Sequence, residues 1–376
     1  MNRQYIYYIG SYDHHDVEQE LLTQPSANTK IKYFLNVLHE AGIEVKFFST
    51  AICRGKQILY KRCNKYDGLE INYLFSIGQE GVLNKLLSFI LIYAQIILVL
   101  FFNKERVPVL IYHSPRLTFF IQKFKFLYRK TPLYFEIEEI YAVVRHLSQK
   151  RLDKEIVSLR DANGYIVVND TIKDACGLKG KSVVCYGIYE KNIHKPHIIS
   201  KDSIKIVYAG GLDSDAELAL DAVKLLQHNF SLHILGYGNE KQVKTIKQKV
   251  LQANLEAGVD KFFYDGCLAG VEYDQFLDTC NIGVSTRIVT PNDSIYAFPS
   301  KILVYLSHNL ITISMPHQAI QRSSISNMVN ICDESTAKSV AEAIVKVTKN
   351  VEAVDNTKQL NDLHRNFVCN MRTFFT

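Results

Sequence analysis

Short apolar segments alternate along this chain with longer segments whose apolar residues recur every three or four positions. The short segments predict buried strands, and the longer ones predict helices that pack on one face. In the first half, strands are expected at residues 1–10, 43–49, 109–113, 133–136, 164–168 and 179–185. In the second half, they are expected at residues 204–209, 231–235, 261–264, 281–285, 310–314 and 329–332. Strands and helices in alternation predict an α/β fold built on doubly wound sheets.

The length of 376 residues suggests two domains, because one domain commonly spans about 150 residues. We place the first domain at residues 1–190 and the second at residues 204–350, joined by a polar linker at residues 191–203. The tail, residues 351–376, is expected to form a helix that packs back on the first domain. The apolar fraction of 47% is sufficient for two cores.

The eight cysteines contain no C-x-x-C pair and no metal-ligand spacing, which favours a reducing cytosol over a disulfide framework. Residues 1–10 lack the apolar block of a signal peptide. The net charge of +6 is uneven, since residues 1–200 hold 27 Lys and Arg against 19 Asp and Glu. A basic first half beside a nearly neutral second half predicts that one domain meets an anionic surface.

Residues 86–102 are almost entirely apolar, but they are short for a membrane span, which takes about 20 apolar residues. A strand is predicted only a few residues later, so we expect a buried or membrane-dipping helix of the first domain rather than an anchor. Residues 119–130 mix aromatic side chains with four cations, as is typical of an anionic membrane surface. A helix packed on the sheet, with lysines reaching into water, is the alternative.

The connection after the first strand, residues 11–29, is unusually long and polar. Long loops at strand carboxyl ends often hold ligands, so it is a candidate acceptor loop. A surface loop without such a role is an equal alternative. The adjacent His14 and His15, followed by Asp16, do not predict a metal site, because neighbouring side chains point apart on most backbones.

Glycine turns follow three predicted strands of the second half, at Gly210-Gly211, at Gly236 and Gly238, and at Gly266. Glycine lets the backbone approach a ligand closely, and the carboxyl ends of these strands should share one sheet edge.

A predicted helix begins at the same edge, in Phe298-Pro299-Ser300-Lys301, where Ser300 can cap the first turn and Lys301 adds a cation. The coincidence predicts a nucleotide site, although an ordinary capped helix is the alternative for this helix alone. Asp213 and Asp215 suit a helix N-terminus better than a metal site.

The segments YAGGL (208–212), LHILGYG (232–238), FYDG (263–266), IGVS (282–285) and FPSKILVYLS (298–307) together resemble the second domain of a GT-B glycosyltransferase. They are similar to family 4, the retaining enzymes of bacterial surface-polysaccharide assembly. Looser matches in the first half are PSAN (25–28) with Lys30, YHS (112–114) and ANGYIVVND (162–170). The resemblance implies two Rossmann-like domains facing a central cleft, with the donor held by the second and the acceptor by the first.

The resemblance also implies roles for individual residues. His113 would act beside the donor sugar as the catalytic residue. The donor is expected at Gly210, Gly211, Gly236, Gly238, Asp265, Gly266, Cys267, Leu268, Arg287, Tyr296, Phe298, Pro299, Ser300 and Lys301. The acceptor is expected at Gly10, Asn28, Lys30 and Glu138. The donor would be a UDP- or GDP-sugar, and no metal cofactor is expected.

The expected function is transfer of a sugar, with retention, to a polyprenyl-diphosphate-linked glycan. The protein would lie on the cytoplasmic face of the plasma membrane as a peripheral protein that contacts an anionic membrane surface. No nucleic-acid partner is expected. Members of the family commonly carry two glutamates with seven residues between them, and here those positions are Tyr296 and Val304. A catalytically inactive partner subunit is therefore a second hypothesis. A sugar-nucleotide epimerase of the same fold is a third, and the apolar segment 86–102 counts against it.

Overall fold

The computed structural model describes residues 4–14, 21–60, 62–189, 197–198, 202–290, 293–350 and 353–376. The chain forms two compact units, which we call domain 1 and domain 2. Domain 1 comprises Met1–Cys185 together with Arg365–Thr376, and domain 2 comprises Tyr186–His364. Most of the predicted linker at residues 191–203 lies outside the described residues.

Domain 1 alternates strands and helices as its apolar pattern predicts. Its strands are β1 (Gln4–Gly10), β2 (Leu21–Leu22), β3 (Ile43–Ser49), β4 (Ile52–Cys53), β5 (Ile58–Leu59), β6 (Arg62–Tyr66), β7 (Leu69–Tyr73), β8 (Ser76–Ile77), β9 (Val109–Tyr112), β10 (Leu133–Ile137), β11 (Gly164–Val167) and β12 (Lys181–Val184). Its helices are α1 (Pro25–Glu40), α2 (Val82–Phe101), α3 (Pro115–Lys123), α4 (Tyr141–Val144), α5 (Gln149–Leu159) and α6 (Ile172–Ala175).

Within the described residues, the main sheet of domain 1 has the order β12-β11-β10-β9-β1-β3-β7-β6. Adjacent strands in this sheet run parallel, except that β6 runs antiparallel to β7. From β1 the chain builds the sheet toward β3 on one side and later returns to β9 on the other. Such a reversal opens a crevice at the carboxyl ends of the strands.

Domain 2 has the same alternation of strands and helices. Its strands are β13 (His197–Ile198), β14 (Ile204–Gly211), β15 (Phe230–Tyr237), β16 (Phe262–Gly266), β17 (Ile282–Ser285), β18 (Ile311–Ser314), β19 (Val329–Ile331) and β20 (Ala353–Val354). Its helices are α7 (Ser214–Lys224), α8 (Glu240–Ala257), α9 (Gly270–Leu277), α10 (Lys301–Ser307), α11 (Gln318–Gln321) and α12 (Ala337–Asn350). The last helix, α13 (Thr357–Phe374), begins in domain 2 and ends in domain 1.

The main sheet of domain 2, over the residues described, is parallel throughout, in the order β16-β15-β14-β17-β18-β19. Its order reverses between β14 and β17. Helices α7 and α12 pack together on one face of the sheet, and α9 and α10 cover the other face. The predicted α/β class with doubly wound Rossmann-like domains is confirmed.

Several element boundaries differ from the prediction. Helix α1 starts at Pro25, inside the segment predicted as a loop, because proline fits the first helical position. Between the predicted strands at residues 133–136 and 164–168, the chain forms two helices, α4 and α5, separated at His146, which has a left-handed φ of 49°. The hairpin of β6 and β7 was not predicted, because β6 is largely exposed and carries no apolar alternation.

Candidate functional site

The crevice of domain 2 opens between β14 and β17. These strands pair only at Ile206 with Ile282 and at Val207 with Gly283, and then they separate. The ring of Tyr305, from α10, fills the gap, and a side chain on Gly283 would collide with it. The Tyr305 hydroxyl accepts a hydrogen bond from the Ala209 N–H at 2.9 Å. The fully buried tyrosine therefore holds the two strands apart at their carboxyl ends.

Lys301, the first residue of α10, reaches across the end of β14. Its Nζ lies 4.4 Å from the ring centroid of Tyr208, a cation–π contact. A Cβ at Gly210 would collide with that Nζ, so glycine is needed for the lysine to occupy this position. The Tyr208 hydroxyl donates to the carbonyl of Gly211 at 2.9 Å, which fixes the ring. The structure thus brings Gly210, Gly211 and Lys301 together.

Opposing influences act on the pKa of Lys301. Burial lowers the pKa of Lys301 to about 8, against the opposing influence of Asp215 and Asp213, and the nearby Arg287 lowers it further. Burial also raises the pKa of Asp215. Asp213 caps α7 by accepting from the Asp215 N–H at 3.0 Å, so its predicted role at a helix start is confirmed. An anion placed here would meet Lys301 and Arg287 at once.

The expected cap at Ser300 is wrong. Its side chain makes no capping hydrogen bond, and the exposed serine contributes only its backbone carbonyl, which accepts from the Leu303 N–H at 3.1 Å. Phe298 is buried and packs on Tyr186 with ring centroids 5.2 Å apart. Pro299 and Tyr296 are partly exposed in the same loop. Because α10 has only seven residues, attraction for an anion comes from the Lys301 side chain more than from the helix end.

The ends of β15 and β16 lie on the other side of β14. Gly236 faces the Gly210 carbonyl so closely that a Cβ would collide with it, which gives this glycine a packing role of its own. Gly238 lies against Gln242 of α8 in the same way. Asp265 accepts from His233 Nδ1 at 3.1 Å, and Gly266 has a φ of 85°, in the left-handed region.

Cys267 is exposed at this edge, and Leu268 packs into the cluster formed by Tyr305 and Leu277. The predicted base-binding segment, residues 265–268, therefore lies at the same sheet edge as Lys301, two strands from β14. Its contact with a base stays a prediction.

Domain 1 has its own cleft, of about 1060 Å³, at the reversal point of its sheet. Gly10, Thr50 and Tyr112 mark the ends of three adjacent strands in its wall. The other walls come from the loop before α1, from α2 and α3, and from the segment that joins α4 to α5. We call this space the domain 1 cleft.

His113 lines the domain 1 cleft but is buried, with 1% of its surface exposed. Its Nε2 lies 2.9 Å from Glu155 Oε1, and its Nδ1 lies 3.0 Å from Thr118 Oγ1. Glu155 also accepts from the backbone N–H groups of Tyr141 and Ala142, both at 2.8 Å. Both ring nitrogens are thus occupied within domain 1, and the predicted role of His113 beside a donor sugar stays a prediction.

Of the residues expected at the acceptor, only Gly10 lines the domain 1 cleft. Asn28 instead ties down the loop, since its side chain bonds the N–H and the carbonyl of Asp13 at 2.8 and 2.7 Å. Lys30 is buried and pairs with Glu138 at 3.5 Å. Burial favours a neutral Lys30, but Cys185, Glu138 and Glu136 outweigh it and raise the pKa of the lysine.

Glu136 lies inside β10, in the segment predicted as a strand, and is fully buried. The Tyr8 hydroxyl donates to its Oε2, while its Oε1 has no hydrogen-bond partner. Burial, and then the charge of Glu138, raise the pKa of Glu136 to about 8. A protonated Glu136 beside an ionised Glu138 and a charged Lys30 leaves this buried cluster neutral. Sequence patterns miss it, because Tyr8, Glu136 and Lys30 come from β1, β10 and α1, which are far apart in the chain.

Among the residues the structure describes, no group of three or more His, Cys, Asp or Glu side chains could hold a metal ion. The eight cysteines are free thiols.

Two Rossmann-like domains, each with a reversal of strand order in its sheet, define the GT-B fold. The chain is similar to α,α-trehalose 6-phosphate synthase from Burkholderia multivorans, with a TM-score of 0.68 and 8% identity over 98% of this chain and 96% of that chain. It is also similar to HepE from Anabaena in complex with UDP, with a TM-score of 0.61 and 12% identity over 98% and 95% of the two chains.

Sucrose-phosphate synthase from Thermosynechococcus elongatus matches with a TM-score of 0.63 and 13% identity, over 100% of this chain and 95% of that chain. No protein-family model and no curated protein matches the sequence. At these identities, the likeness establishes the GT-B fold alone.

Proposed function

We propose that this protein is a nucleotide-sugar-dependent glycosyltransferase that transfers a sugar to a lipid-diphosphate-linked glycan at an anionic membrane surface. It belongs, in this proposal, with the family 4 enzymes of surface-polysaccharide synthesis, and the acceptor is polyprenyl-linked. The observation that carries the proposal is the domain 1 cleft, in which cations meet an apolar helix that is largely uncovered. The proposal includes a cytoplasmic, peripheral location, and the exposed apolar surface of α2 supports the peripheral part of it.

The domain 1 cleft suits an anion with an apolar tail. Among its described lining residues the cations are Arg116, Arg145, Lys150, Arg151 and Lys154. The one acidic lining residue, Glu155, is already engaged by His113 and by backbone N–H groups. Arginine forks bind phosphate oxygens in pairs, so a diphosphate would be held firmly here. Phe89, Ile92 and Tyr93 of α2 offer the apolar wall beside these cations.

Helix α2 supports contact with lipid. By length and composition it could cross a membrane, with a mean hydropathy of 2.1 in its most apolar window, yet only 17% of that window is buried. Exposed apolar side chains on or next to it are Leu83, Leu86, Leu87, Ile90, Leu98, Phe101 and Phe102. Exposed Lys85, Lys104, Arg129 and Lys130 lie in the same helix or in adjoining segments of domain 1. Apolar and cationic groups together favour an anionic lipid surface.

The carboxyl edge of domain 2 supports a nucleotide-sugar donor. The crevice at β14 and β17 is the usual ligand position in an open α/β sheet, and Lys301 and Arg287 supply charge for a diphosphate. The HepE structure was solved with UDP, which makes UDP the first nucleotide to test. The leaving nucleotide carries a developing negative charge, which the two cations would stabilise. Retention stays a prediction of the family resemblance.

The proposal is tested by incubating the purified protein with radiolabelled UDP- and GDP-sugars and a polyprenyl-diphosphate-linked sugar in anionic vesicles. Label transferred to the lipid fraction supports it. The double variant Arg116→Ala/Arg151→Ala should lose transfer by at least about tenfold, while UDP binding stays unchanged, because loss of a hydrogen bond to a charged group costs about 1.5–3 kcal/mol. Binding of UDP without transfer to any lipid-linked acceptor contradicts the acceptor assignment.

A catalytically inactive partner subunit is the second candidate. Val304, where family members commonly place a glutamate, is partly buried against the apolar cluster of Leu268 and Tyr273. No carboxylate is available at that position to hold a ribose hydroxyl. The variant Lys301→Ala distinguishes the two candidates. Loss of polysaccharide production in cells that carry this variant favours the enzyme. Unchanged output with a stably folded variant favours the partner subunit.

A further inference from the structure

Beyond the diphosphate position, a buried histidine marks the next part of the domain 2 edge. His317 follows β18 and has 5% of its surface exposed. Its Nδ1 is buried and has no hydrogen-bond partner. A buried ring nitrogen without a partner is costly, by about 1–3 kcal/mol, unless something else supplies the missing bond. No motif in the sequence marks this residue.

The backbone around His317 is firmly held. Its carbonyl accepts from the N–H groups of Ile320 and Gln321, both at 3.0 Å. The next residue, Gln318, donates its N–H to Ser294 Oγ at 3.3 Å, which joins this turn to the loop before α10. The Met315 N–H bonds the Ser285 carbonyl at 3.0 Å, so the ends of β17 and β18 stay in register. The imidazole is therefore placed by packing rather than by a mobile loop.

The surroundings of His317 also determine its protonation state. Burial lowers the pKa of His317 to about 4, and the nearby guanidinium of Arg287 lowers it further. The ring is neutral at physiological pH, so it offers one hydrogen bond and no charge. Asp213 and Asp215 already place two carboxylates near Lys301 and Arg287. A neutral ligand group fits this end of the edge better than another anion.

The strand order gives the direction of a bound donor. The segment expected to hold the base lies at the end of β16, and Lys301 lies at the end of β14. The next strands beyond β14 are β17, followed by Arg287, and β18, followed by His317. Adjacent strands are about 4.8 Å apart, so His317 lies roughly 10 Å beyond the diphosphate, on the side away from the base.

We infer that the free Nδ1 of His317 hydrogen-bonds an uncharged polar group of the donor's hexose, which makes His317 a specificity-determining residue of the donor site. The inference rests on the proposed function, because it requires a nucleotide-sugar at Lys301. It assigns the sugar class as a neutral hexose, with a hydroxyl or an N-acetyl group toward β18, rather than a uronic acid.

The test compares UDP with UDP-glucose, UDP-galactose, UDP-N-acetylglucosamine and UDP-glucuronate by titration calorimetry of the full chain. The variants are His317→Phe, which keeps the ring without nitrogen, and His317→Asn, whose amide can occupy the Nδ1 position. With the neutral UDP-hexose that the wild type binds best, His317→Phe should lose about tenfold in affinity, the effect of one hydrogen bond. It should bind UDP as the wild type does, and His317→Asn should recover most of the loss.

Equal affinity of His317→Phe and wild type for the UDP-hexose overturns the inference, as does equal loss for UDP and UDP-hexose. A preference of the wild type for UDP-glucuronate overturns the sugar class. If the wild type binds no nucleotide, the proposed function itself fails, and this result is distinct from the others. Unfolding midpoints of the two variants without ligand confirm that both are folded.

Discussion

Lys301 shows how much a single position gains from its surroundings. The sequence offers a lysine at the start of a helix, and the structure adds an aromatic ring beneath it, a glycine that leaves it room, and carboxylates and a guanidinium around it. Burial brings its pKa to about 8, within reach of ordinary experiments. The protonation of one amine should therefore control nucleotide affinity.

We predict that UDP binds less tightly as pH rises through about 8. Below that pKa, Lys301 is protonated and positively charged, and a bound diphosphate favours this charged form. The affinity for UDP is therefore fully present at lower pH and is lost above the pKa. The loss should approach tenfold per pH unit just above the pKa. Titration calorimetry between about pH 7 and about pH 9.5 measures it. Lys301→Arg, which stays charged, should give a flat profile; an unchanged slope in this variant would falsify the assignment.

The cluster of Glu136, Glu138 and Lys30 makes a second prediction for single residues. The pKa of Glu136 is raised from 4.5 to about 8, so folding favours its protonated form. The stability this proton provides is fully present below the unfolded pKa and is lost as pH rises through about 8. We expect stability to fall by up to about 1.4 kcal/mol per pH unit across that window.

Urea unfolding of the full chain at several pH values between about 5.5 and about 8.5 measures this dependence. Glu136→Gln, which cannot ionise, should remove the slope. Glu80→Gln is the matched control, because Glu80 is exposed and its pairing with Lys56 is on the surface. A slope that survives Glu136→Gln assigns the pH dependence to other groups.

Among the elements, α2 is the one whose burial is predicted least well from its composition alone. Its 20 residues are apolar nearly throughout, which suits a buried core helix and a membrane helix equally. Only the packing shows that its buried side chains, Ser88, Ile92, Ile96 and Leu100, form one narrow stripe. The remaining apolar surface is open, and such a large open patch indicates a partner.

We predict that Leu86→Glu/Ile90→Glu abolishes binding of the protein to vesicles that contain anionic lipid. These two residues lie on the same exposed face, one turn apart, with 60% and 55% of their surfaces exposed. Carboxylates there would oppose both insertion and the negative surface. Sedimentation with phosphatidylglycerol vesicles measures the effect.

The control is Leu251→Glu, since Leu251 is 63% exposed on α8 of domain 2. This variant should bind vesicles as the wild type does. Equal loss in both variants would mean that the effect is not specific to α2. Wild-type protein that ignores anionic vesicles contradicts the peripheral membrane location.

At the scale of the whole molecule, two domains with separate cores imply two partly independent folding units. The described residues that surround Lys301 all belong to domain 2, and the domain 1 cleft is lined by domain 1 alone. A nucleotide bound at Lys301 should therefore stabilise domain 2 and leave the stability of domain 1 unchanged.

We predict that UDP raises the midpoint of one unfolding transition in calorimetry and leaves the other in place. At a hundredfold excess over its dissociation constant, the gain is about 2.7 kcal/mol. Lys301→Ala should lose the shift while both transitions remain. No shift with UDP, GDP or any sugar nucleotide moves the assignment to the inactive partner subunit.

The sequence by itself determined the α/β class, most of the strands, and the glycine turns near residues 210, 236 and 266, because periodicity and turn chemistry are local properties of the chain. It also identified Lys301 and the apolar segment of α2. Tertiary structure alone decided which of these residues meet. Lys301 lies beside Gly210 because Tyr305 separates β14 from β17, and Arg287 lies near His317 because β17 and β18 are neighbours. Strand order is set by contacts between distant segments, and local patterns carry no record of it.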